Sequence, residues 1–126
     1  VQPSVFDMHV NAGANAVRIL QRLLREMGFE TAVDGIIGPN TADAAHVAAE
    51  GRERAFADAY GIARRNYYLR LADARPALRK FARTRAGGKG GWIRRAEDFI
   101  SPRHHLTRAE FGARVAGWDG SNRRAA

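Results

Sequence analysis

The sequence predicts an all-α protein of about six helices with little or no β-sheet. Alanine, leucine and arginine are frequent, apolar residues recur at spacings of three and four, and the alternating pattern of a strand is almost absent. Only Val33 to Ile37 looks strand-like, and Gly35 interrupts it. The chain has 126 residues, which is enough for one domain with its own core.

The first two helices are marked by apolar spacing and by glycine stops. A short helix is predicted over 4–10, ending near Gly13, and a second over 15–27. The second helix carries one apolar stripe, formed by Ala16, Ile19, Leu20, Leu23, Leu24 and Met27. Gly28 followed by an apolar residue predicts that this helix ends in a Schellman motif.

Two tight breaks are predicted between the second and third helices. Asp34-Gly35 is a turn dipeptide, because glycine accepts a positive φ and aspartate bonds to nearby amides. Gly38-Pro39 is a second break, and Thr41 follows it at the start of a helix.

The third helix is predicted to run to about Glu50. Asn40 or Thr41 is expected to cap it, with Asp43 placed to complete a capping box with Asn40. The two isoleucines of the preceding loop, residues 36–37, are expected to plug that loop onto the helices.

Helical patterns continue through the second half of the chain. Further helices are predicted over 52–74, 76–84, 92–100 and 107–118. The first of these places an apolar face at Phe56, Tyr60, Ala63, Tyr67 and Leu71. Thr107 and Glu110 have the spacing of a capping box at the start of the last helix. Ala86 to Gly91 is a glycine-rich, cationic loop.

The net charge of +8 lies entirely in the last part of the chain. Residues 1–74 carry 8 Lys and Arg against 9 Asp and Glu, whereas residues 75–126 carry 13 against 4. A basic segment favours a polyanionic partner: nucleic acid, anionic lipid or an anionic cell-wall polymer. Solubility alone is the alternative explanation.

Several classes of site are excluded or disfavoured. The chain has no cysteine, so it forms neither a disulfide nor a thiolate metal site. Its four histidines lack metal-ligand spacing, and no phosphate-cradling loop is present, so we predict no metal and no cofactor. No apolar run reaches the ~20 residues of a membrane helix, and no signal-peptide pattern is visible at the N-terminus.

Five motifs follow one another in a fixed order over residues 6–95. They are an aspartate with an Asn-x-Gly helix end (Asp7, Asn11, Gly13), Leu20-Gln21, an Asp-Gly-x-x-Gly-Pro-x-Thr turn over 34–41, a helix with Tyr60, Arg64, Tyr68, Leu71 and Arg75-Pro76, and a Gly-Trp-x-x-Arg element over 91–95. Together they resemble the glycoside hydrolase family 108 muramidases, also described as secretion activator proteins, and their C-terminal predicted peptidoglycan-binding domain. Residues 96–126 fall outside the resemblance.

The resemblance implies the C-terminal lobe of a lysozyme-like helical bundle. In that family the catalytic glutamate lies in an upstream Glu-Gly-Gly motif, which this chain does not contain. Its Glu50-Gly51 pair ends a predicted surface helix and is interpreted as a C-cap. We therefore predict no catalytic residue here, and a chain that is inactive alone as part of a peptidoglycan glycoside hydrolase.

Substrate contact is predicted for six residues. The resemblance implies it for Asp7, Asn11 and Gly13. For Tyr60 and Trp92 it is predicted because aromatic rings can stack on sugars, and for Arg64 because its charge suits wall-peptide carboxylates. For each, helix termination, core packing or an internal ion pair is the competing interpretation. A structural role is predicted for Gln21, Asp34, Gly35, Gly38, Pro39 and Thr41. Turn chemistry explains it for Asp34, Gly35, Gly38 and Thr41.

The predicted domain organisation has three parts. Residues 1–100 form the helical peptidoglycan-binding, lysozyme-like domain, 101–118 an extra C-terminal helix, and 119–126 a disordered tail. The expected function is peptidoglycan recognition within an endolysin-like cell-wall hydrolase, with glycan strands as partner.

Two alternatives remain open: a basic helical nucleic-acid-binding protein acting through residues 75–126, and a non-catalytic phage or secretion component. A bacterial or phage origin and a site of action at the cell wall or periplasm are expected.

Overall fold

A computed structural model describes the backbone of residues 2–125, and the side chains of that range except for residues 2, 9–12 and 120–125. Within the described residues the fold is all-α, as predicted: there are seven α-helices, two short 3₁₀ turns and no strand. One isolated antiparallel bridge joins Arg83 and Lys89. None of the described helices combines the length and apolarity needed to cross a bilayer.

The chain divides into two compact units, residues 1–64 and 65–126. The first unit contains α1 (Gln2–Ala12), α2 (Ala14–Glu26), α3 (Pro39–Ala49) and the beginning of α4 (Glu53–Ala74). Its buried apolar residues are Val5, Met8, Ala16, Val17, Ile19, Leu20, Leu24, Ala44, Ala48, Phe56 and Tyr60.

The second unit contains the remainder of α4, α5 (Arg79–Ala82), α6 (Gly91–Glu97) and α7 (Arg108–Ala125), with 3₁₀ turns at Pro76–Leu78 and Pro102–His104. Its buried apolar residues are Tyr68, Leu69, Ala72, Ala82, Ile93, Ala96, Ile100, Phe111, Val115 and Trp118. The sequence-based division into 1–100, 101–118 and 119–126 stays a prediction, and most side chains of the predicted tail lie outside the described residues.

Helix α2 ends as predicted from its glycine stop. The amide of Phe29 donates to the carbonyl of Leu24 at 3.0 Å, and the amide of Gly28 donates to that of Arg25 at 3.0 Å. Gly28 has φ +95°, which L side chains rarely adopt. These bonds form a Schellman motif, so that prediction is confirmed.

Helix α3 begins differently from the prediction. Gly38 is its N-cap residue, Pro39 occupies the first turn, and no side chain caps the helix. The predicted capping box of Asn40 with Asp43 is therefore wrong, because proline at the first position moves the helix start upstream. The loop isoleucines at 36–37 do not plug the loop, since their side chains are 67% and 55% exposed.

The buried face of α4 also departs from the prediction. Its buried side chains step by four residues through Phe56, Tyr60, Arg64, Tyr68 and Ala72. The predicted stripe followed the first two and then moved to Ala63, Tyr67 and Leu71, which are only half-buried. A buried arginine in the middle of the face explains the error, because hydrophobic periodicity does not register it.

The glycine-rich segment is closed into what we call the 83–90 loop. The amides of Thr84 and Gly90 donate to the carbonyls of Gly88 and Ala82 at 2.9 and 2.8 Å. A Cβ atom on Gly90 would lie 2.7 Å from the backbone of residues 81–83, so only glycine fits there. Close backbone packing thus fixes the base of this loop.

Helix α7 starts at the predicted capping box. The amide of Glu110 donates to Thr107 Oγ1 at 3.1 Å, and the amide of Thr107 donates to Glu110 Oε1 at 2.8 Å. Both bonds belong to the reciprocal pattern of the motif, so this prediction is confirmed.

Candidate functional site

A buried glutamine holds the loop of the first unit. Gln21 Nε2 donates to Asp34 Oδ1 at 2.9 Å, to the carbonyl of Ile36 at 3.0 Å and to Thr41 Oγ1 at 3.2 Å. Its Oε1 accepts from the amides of Asp34 and Gly35, both at 3.0 Å. One side chain therefore ties the turn after α2 to the first turn of α3.

The turn residues Asp34 and Gly35 restrict the conformation of the loop. Asp34 Oδ1 also accepts from the amide of Ile36 at 2.9 Å, and this bond, followed by the one from Gln21, holds the pKa of Asp34 below its ordinary value. Gly35 has φ +78°, and a Cβ atom there would lie 2.9 Å from Ala14 Cβ. These contacts give the predicted structural-motif residues concrete roles in shaping the loop.

A buried ion pair joins α1 to α4 within the first unit. Arg64 Nη2 donates to Asp7 Oδ2 at 2.6 Å, and its Nη1 lies 3.5 Å from the carbonyl and hydroxyl oxygens of Ser4. Tyr60 donates its hydroxyl to the carbonyl of Ala16 at 2.8 Å. Removing one partner of a buried ion pair lowers the free energy of unfolding by roughly 3–5 kcal/mol. The pair of Asp7 and Arg64 therefore stabilises the position of α1 against α4.

These bonds bear on the residues expected to contact substrate. Tyr60 and Arg64 have no exposed surface, and Asp7 is only partly exposed. Gly13 forms the break between α1 and α2 at φ +58°. The side chain of Asn11 lies outside the described residues. The structure thus brings Asp7 and Arg64 together but directs their polar atoms inward.

The first unit also carries an open apolar cavity of about 790 Å³. Its lining residues are Val5, Phe6, Val17, Leu20, Ile37, Thr41, Ala42, Ala45, His46 and Ala49. The Phe6 side chain is 74% exposed. Of the predicted substrate-binding residues whose side chains the structure describes, none lines this cavity, although Thr41 of the turn motif does.

In the second unit, Trp92 lies in the middle of an aromatic stack. Its ring stacks on Tyr68 at a centroid distance of 4.9 Å and on Phe81 at 5.2 Å. The indole therefore contacts two protein rings. Phe81 is 43% exposed, and Lys80 Nζ lies 5.3 Å from its ring centre. Phe81 is thus the more exposed member of the stack, and Trp92 is half-buried.

A buried carboxylate organises the same unit. Glu97 accepts from Arg65 Nη1 at 2.7 Å, from the amide of Leu106 at 2.8 Å and from Lys89 Nζ. Arg65 Nη1 also donates to the carbonyl of His104 at 2.9 Å. Burial alone would raise the pKa of Glu97, but the bonds from Lys89, Leu106 and Arg65 outweigh it and leave the pKa lowered.

A second carboxylate fastens α7 to α4. Arg114 donates through both terminal nitrogens to Asp73, at 3.1 and 2.8 Å, and Trp118 Nε1 donates to Asp73 Oδ1 at 2.6 Å. The bond from Arg114 lowers the pKa of Asp73; burial opposes this shift, and the bond from Trp118 adds to the lowering. The guanidinium carbons of Arg79 and Arg83 lie 5.2 and 5.1 Å from the Trp118 ring centre. Trp118 is accordingly a packed, bonded core residue.

Two basic cavities flank the 83–90 loop. One, of about 440 Å³, is lined by Thr84, Ala86, Gly88, Lys89, Arg94, Arg108 and Phe111. The other, of about 480 Å³, is lined by Arg79, Lys80, Arg83, Thr84, Arg85, Ala86, Gly87 and Asp119. Among the described residues, the first is lined by three cations, and the second by four cations and one carboxylate. The excess charge seen in the sequence thus concentrates around one loop.

Four of the described carboxyl groups, those of Asp34, Asp73, Glu97 and Glu110, do not suit general acid catalysis. Protonating a glycosidic oxygen near neutral pH requires a carboxyl group whose pKa is raised. The pKa values of Asp34, Asp73 and Glu97 are lowered, as is that of Glu110, chiefly through the Thr107 amide. Their bonds therefore favour the ionised form of these four groups.

Several residues of these sites were missed by the sequence reasoning. Glu97, Phe81, Arg94 and Arg108 were not singled out, although one signal was available. Eight Lys and Arg but no Asp or Glu occur over residues 75–96, so an acidic residue directly after that run, such as Glu97, is well placed for an ion pair.

Comparison with protein families matches residues 15–97 to the family described as the predicted peptidoglycan domain. Comparisons with curated proteins and with solved structures gave no match. The matched segment covers about two thirds of the chain. It includes Gln21 and its loop, the aromatic stack, the 83–90 loop and Glu97. The chain therefore belongs to the predicted peptidoglycan domain family.

Proposed function

We propose that this chain recognises peptidoglycan as the C-terminal part of a muramidase, an endolysin-like cell-wall hydrolase. The family match over residues 15–97 carries the proposal, because it supports peptidoglycan as partner and the cell wall as the place of action. The order of the five motifs supports the muramidase context. Each motif also has a physical counterpart in the structure, such as the hydrogen bonds of Gln21.

The catalytic glutamate of the proposed enzyme lies outside this chain. The sequence contains no Glu-Gly-Gly motif. The buried glutamate of the second unit, Glu97, is held ionised by Lys89 and Arg65, which opposes proton donation. The role left to this chain is to hold the wall polymer for an acid supplied by another segment.

In this proposal, the predicted substrate-binding residues mainly hold other parts of the first and second units in position. Arg64 and Tyr60 fix α1, and with it the Asp7, Asn11 and Gly13 region, at the surface presented to the glycan. Trp92 supports Phe81, whose exposed ring offers an apolar face to a sugar. Removing Trp92 would therefore weaken glycan binding by displacing Phe81.

Co-sedimentation with purified, insoluble peptidoglycan tests recognition. We expect the chain to pellet with the sacculi, and to keep pelleting at raised salt and with excess soluble DNA. Pelleting abolished by salt or by DNA would mean that the chain binds polyanions generally, and the proposal would fail. A variant with Phe81→Ala should pellet less, whereas Met27→Ala, which also removes a half-exposed apolar side chain, should not.

The assignment of the acid to another segment has its own test. Incubating sacculi with this chain alone should release no new reducing ends. Release of reducing ends would contradict the assignment and would require a catalytic carboxyl group within these 126 residues.

The second candidate function is nucleic-acid binding, favoured by the two basic cavities around the 83–90 loop. Phosphate contacts on duplex DNA lower log K by roughly 0.9 per contact for each log unit of salt. A steep fall of DNA affinity with salt, together with no retention on sacculi, would favour this function.

A further inference from the structure

The smaller basic cavity of the second unit has the composition of a binding site. We call it the Arg94–Arg108 cavity, since these two arginines stand at its wall with Lys89. Its volume of about 440 Å³ falls within the range of small-molecule pockets, about 300–1,000 Å³. That size suits one or two residues of a ligand rather than the side of a duplex.

The charges at this cavity are only partly neutralised by the protein. Arg94 and Arg108 are exposed, and no described residue pairs with either guanidinium group. Lys89 binds Glu97, whose other oxygen is occupied by Arg65 and the Leu106 amide. The carboxylate of Glu110 is engaged by the Thr107 amide in the capping box. The two arginines therefore remain available for an anion.

The rest of the lining is small or apolar. Ala86 and Phe111 contribute hydrocarbon, while Gly88 and Thr84 belong to the 83–90 loop and are joined by the bond from the Gly88 amide to Thr84 Oγ1 at 3.0 Å. The packing of Gly90 against residues 81–83 fixes this loop. A ligand that combines an anion with a small apolar group would match both parts of the wall.

We propose that the Arg94–Arg108 cavity binds the carboxylate at the end of a peptidoglycan stem peptide, with the methyl group of the terminal alanine against Ala86 and Phe111. Two guanidinium groups suit a carboxylate because their planar donors match its two oxygens. The inference rests on the proposed function and deepens it by naming the peptide, rather than the sugar chain, as the charged part recognised here.

Isothermal titration with soluble wall fragments tests the proposal. The probe is a disaccharide with a stem peptide that ends in a free alanine carboxylate, and the matched probe has that carboxylate amidated. We expect the amidated fragment to bind the full chain about tenfold more weakly, because a hydrogen bond to a charged group is lost. Arg94→Gln and Arg108→Gln should each weaken binding of the free acid about three- to tenfold.

Arg70→Gln is the matched control, since Arg70 is exposed on α4, belongs to the same unit and lines neither basic cavity. It removes the same charge and should leave the affinity for the fragment unchanged. Equal loss in all three variants would mean a general effect of net charge and would overturn the proposal. Equal affinity for the acid and the amide would overturn it as well.

Sedimentation with whole sacculi separates this failure from that of the proposed function. If the chain pellets with sacculi but does not distinguish acid from amide, the cavity proposal is wrong and peptidoglycan recognition stands. If the chain neither pellets nor binds the fragments, both fail. Tighter binding of a wall phosphodiester polymer or of DNA, lost in Arg94→Gln and Arg108→Gln, would assign the cavity to phosphate instead.

Discussion

The two units of this protein each hold a loop with one buried polar side chain, but the two side chains differ in kind. In the first unit the neutral amide of Gln21 binds residues 34–41 through five hydrogen bonds. In the second unit the carboxylate of Glu97 binds the segment before α7 through the Leu106 amide, and Arg65 binds the same segment through the His104 carbonyl.

The difference follows from the hydrogen-bonding capacity of each group. An amide side chain both donates and accepts, so Gln21 serves carbonyls, hydroxyls and amides without adding charge. A carboxylate only accepts, so Glu97 requires nearby cations to offset its burial, and Lys89 and Arg65 supply them. The ionic anchor at Glu97 therefore depends on the ionisation of its own carboxylate, whereas the neutral anchor at Gln21 carries no charge and responds to pH through its bond to Asp34.

The largest expected effect is at the ionic anchor. Glu97→Gln should lower the free energy of unfolding by about 3 kcal/mol at neutral pH, because Arg65 loses its buried partner and Lys89 its ion pair. Chemical denaturation measures this change. The neighbouring Asp98→Asn removes the same charge from an exposed position and should change stability by less than about 0.5 kcal/mol. A similar cost for both variants would contradict a special role for Glu97.

The same anchor should give the protein its acid sensitivity. The pKa of Glu97 is lowered by folding, so its stabilising effect is present above the unfolded value of about 4.3 and is lost as the pH falls through the folded value. The difference in the free energy of unfolding between the wild type and Glu97→Gln should therefore become smaller below about pH 4.5. A gap that stays constant down to pH 3 would show that the carboxylate charge is not the cause.

The neutral anchor should be the next most costly to remove. Gln21→Leu keeps a similar volume but leaves the amides of Asp34 and Gly35 without their acceptor, at a cost of about 2–3 kcal/mol. This cost should change less with pH than that of Glu97→Gln, because Gln21 does not ionise and pH acts on it through its bond to Asp34. Arg22→Gln, exposed on the same helix, serves as control in the same denaturation series. An equal pH dependence at both anchors would remove the contrast between them.

A glycine pair separates backbone strain from steric fit in the first unit. Gly35→Ala should cost about 2 kcal/mol, since it combines a positive φ with a contact of 2.9 Å to Ala14 Cβ. Gly28→Ala has a positive φ but open space around its Cβ, and should cost about 1 kcal/mol. Thermal unfolding of both variants measures the difference. Equal costs would mean that Ala14 moves aside and that the Gln21 loop is less rigid than its contacts indicate.

The sequence predicted the helices far better than it predicted the anchors. Periodicity located α2 because its apolar stripe is uninterrupted, and glycine or capping residues marked its end and the start of α7. Periodicity failed along α4, where Arg64 occupies a buried position that a hydrophobic pattern cannot register. A buried polar residue is stabilised by hydrogen-bond or ion-pair partners that lie far from it in the sequence. Those partners can be identified only in the folded chain.

The candidate site shows the same limit of prediction from sequence patterns. Trp92 follows a glycine-rich segment in the sequence, but only the structure shows that its ring stacks on both Tyr68 and Phe81. The charge excess of residues 75–126 was evident, yet its division into two cavities depends on how the 83–90 loop folds. Composition therefore predicted the sign of the charge on the expected ligand, and the structure located the cavities in which such a ligand could bind.

The smallest expected effect concerns α7, the helix that follows the segment bound by Glu97 and Arg65. Thr107→Ala removes the hydroxyl that accepts from the Glu110 amide, and should lower the free energy of unfolding by about 1 kcal/mol. Glu110→Gln should be nearly neutral, because glutamine also completes a capping box and can still accept from the Thr107 amide. Hydrogen exchange of the first-turn amides of α7 reads this change locally. If Thr107→Ala accelerates that exchange while Leu106 stays protected, the Glu97 anchor holds its segment independently of the cap; if both lose protection together, anchor and cap form one cooperative structure.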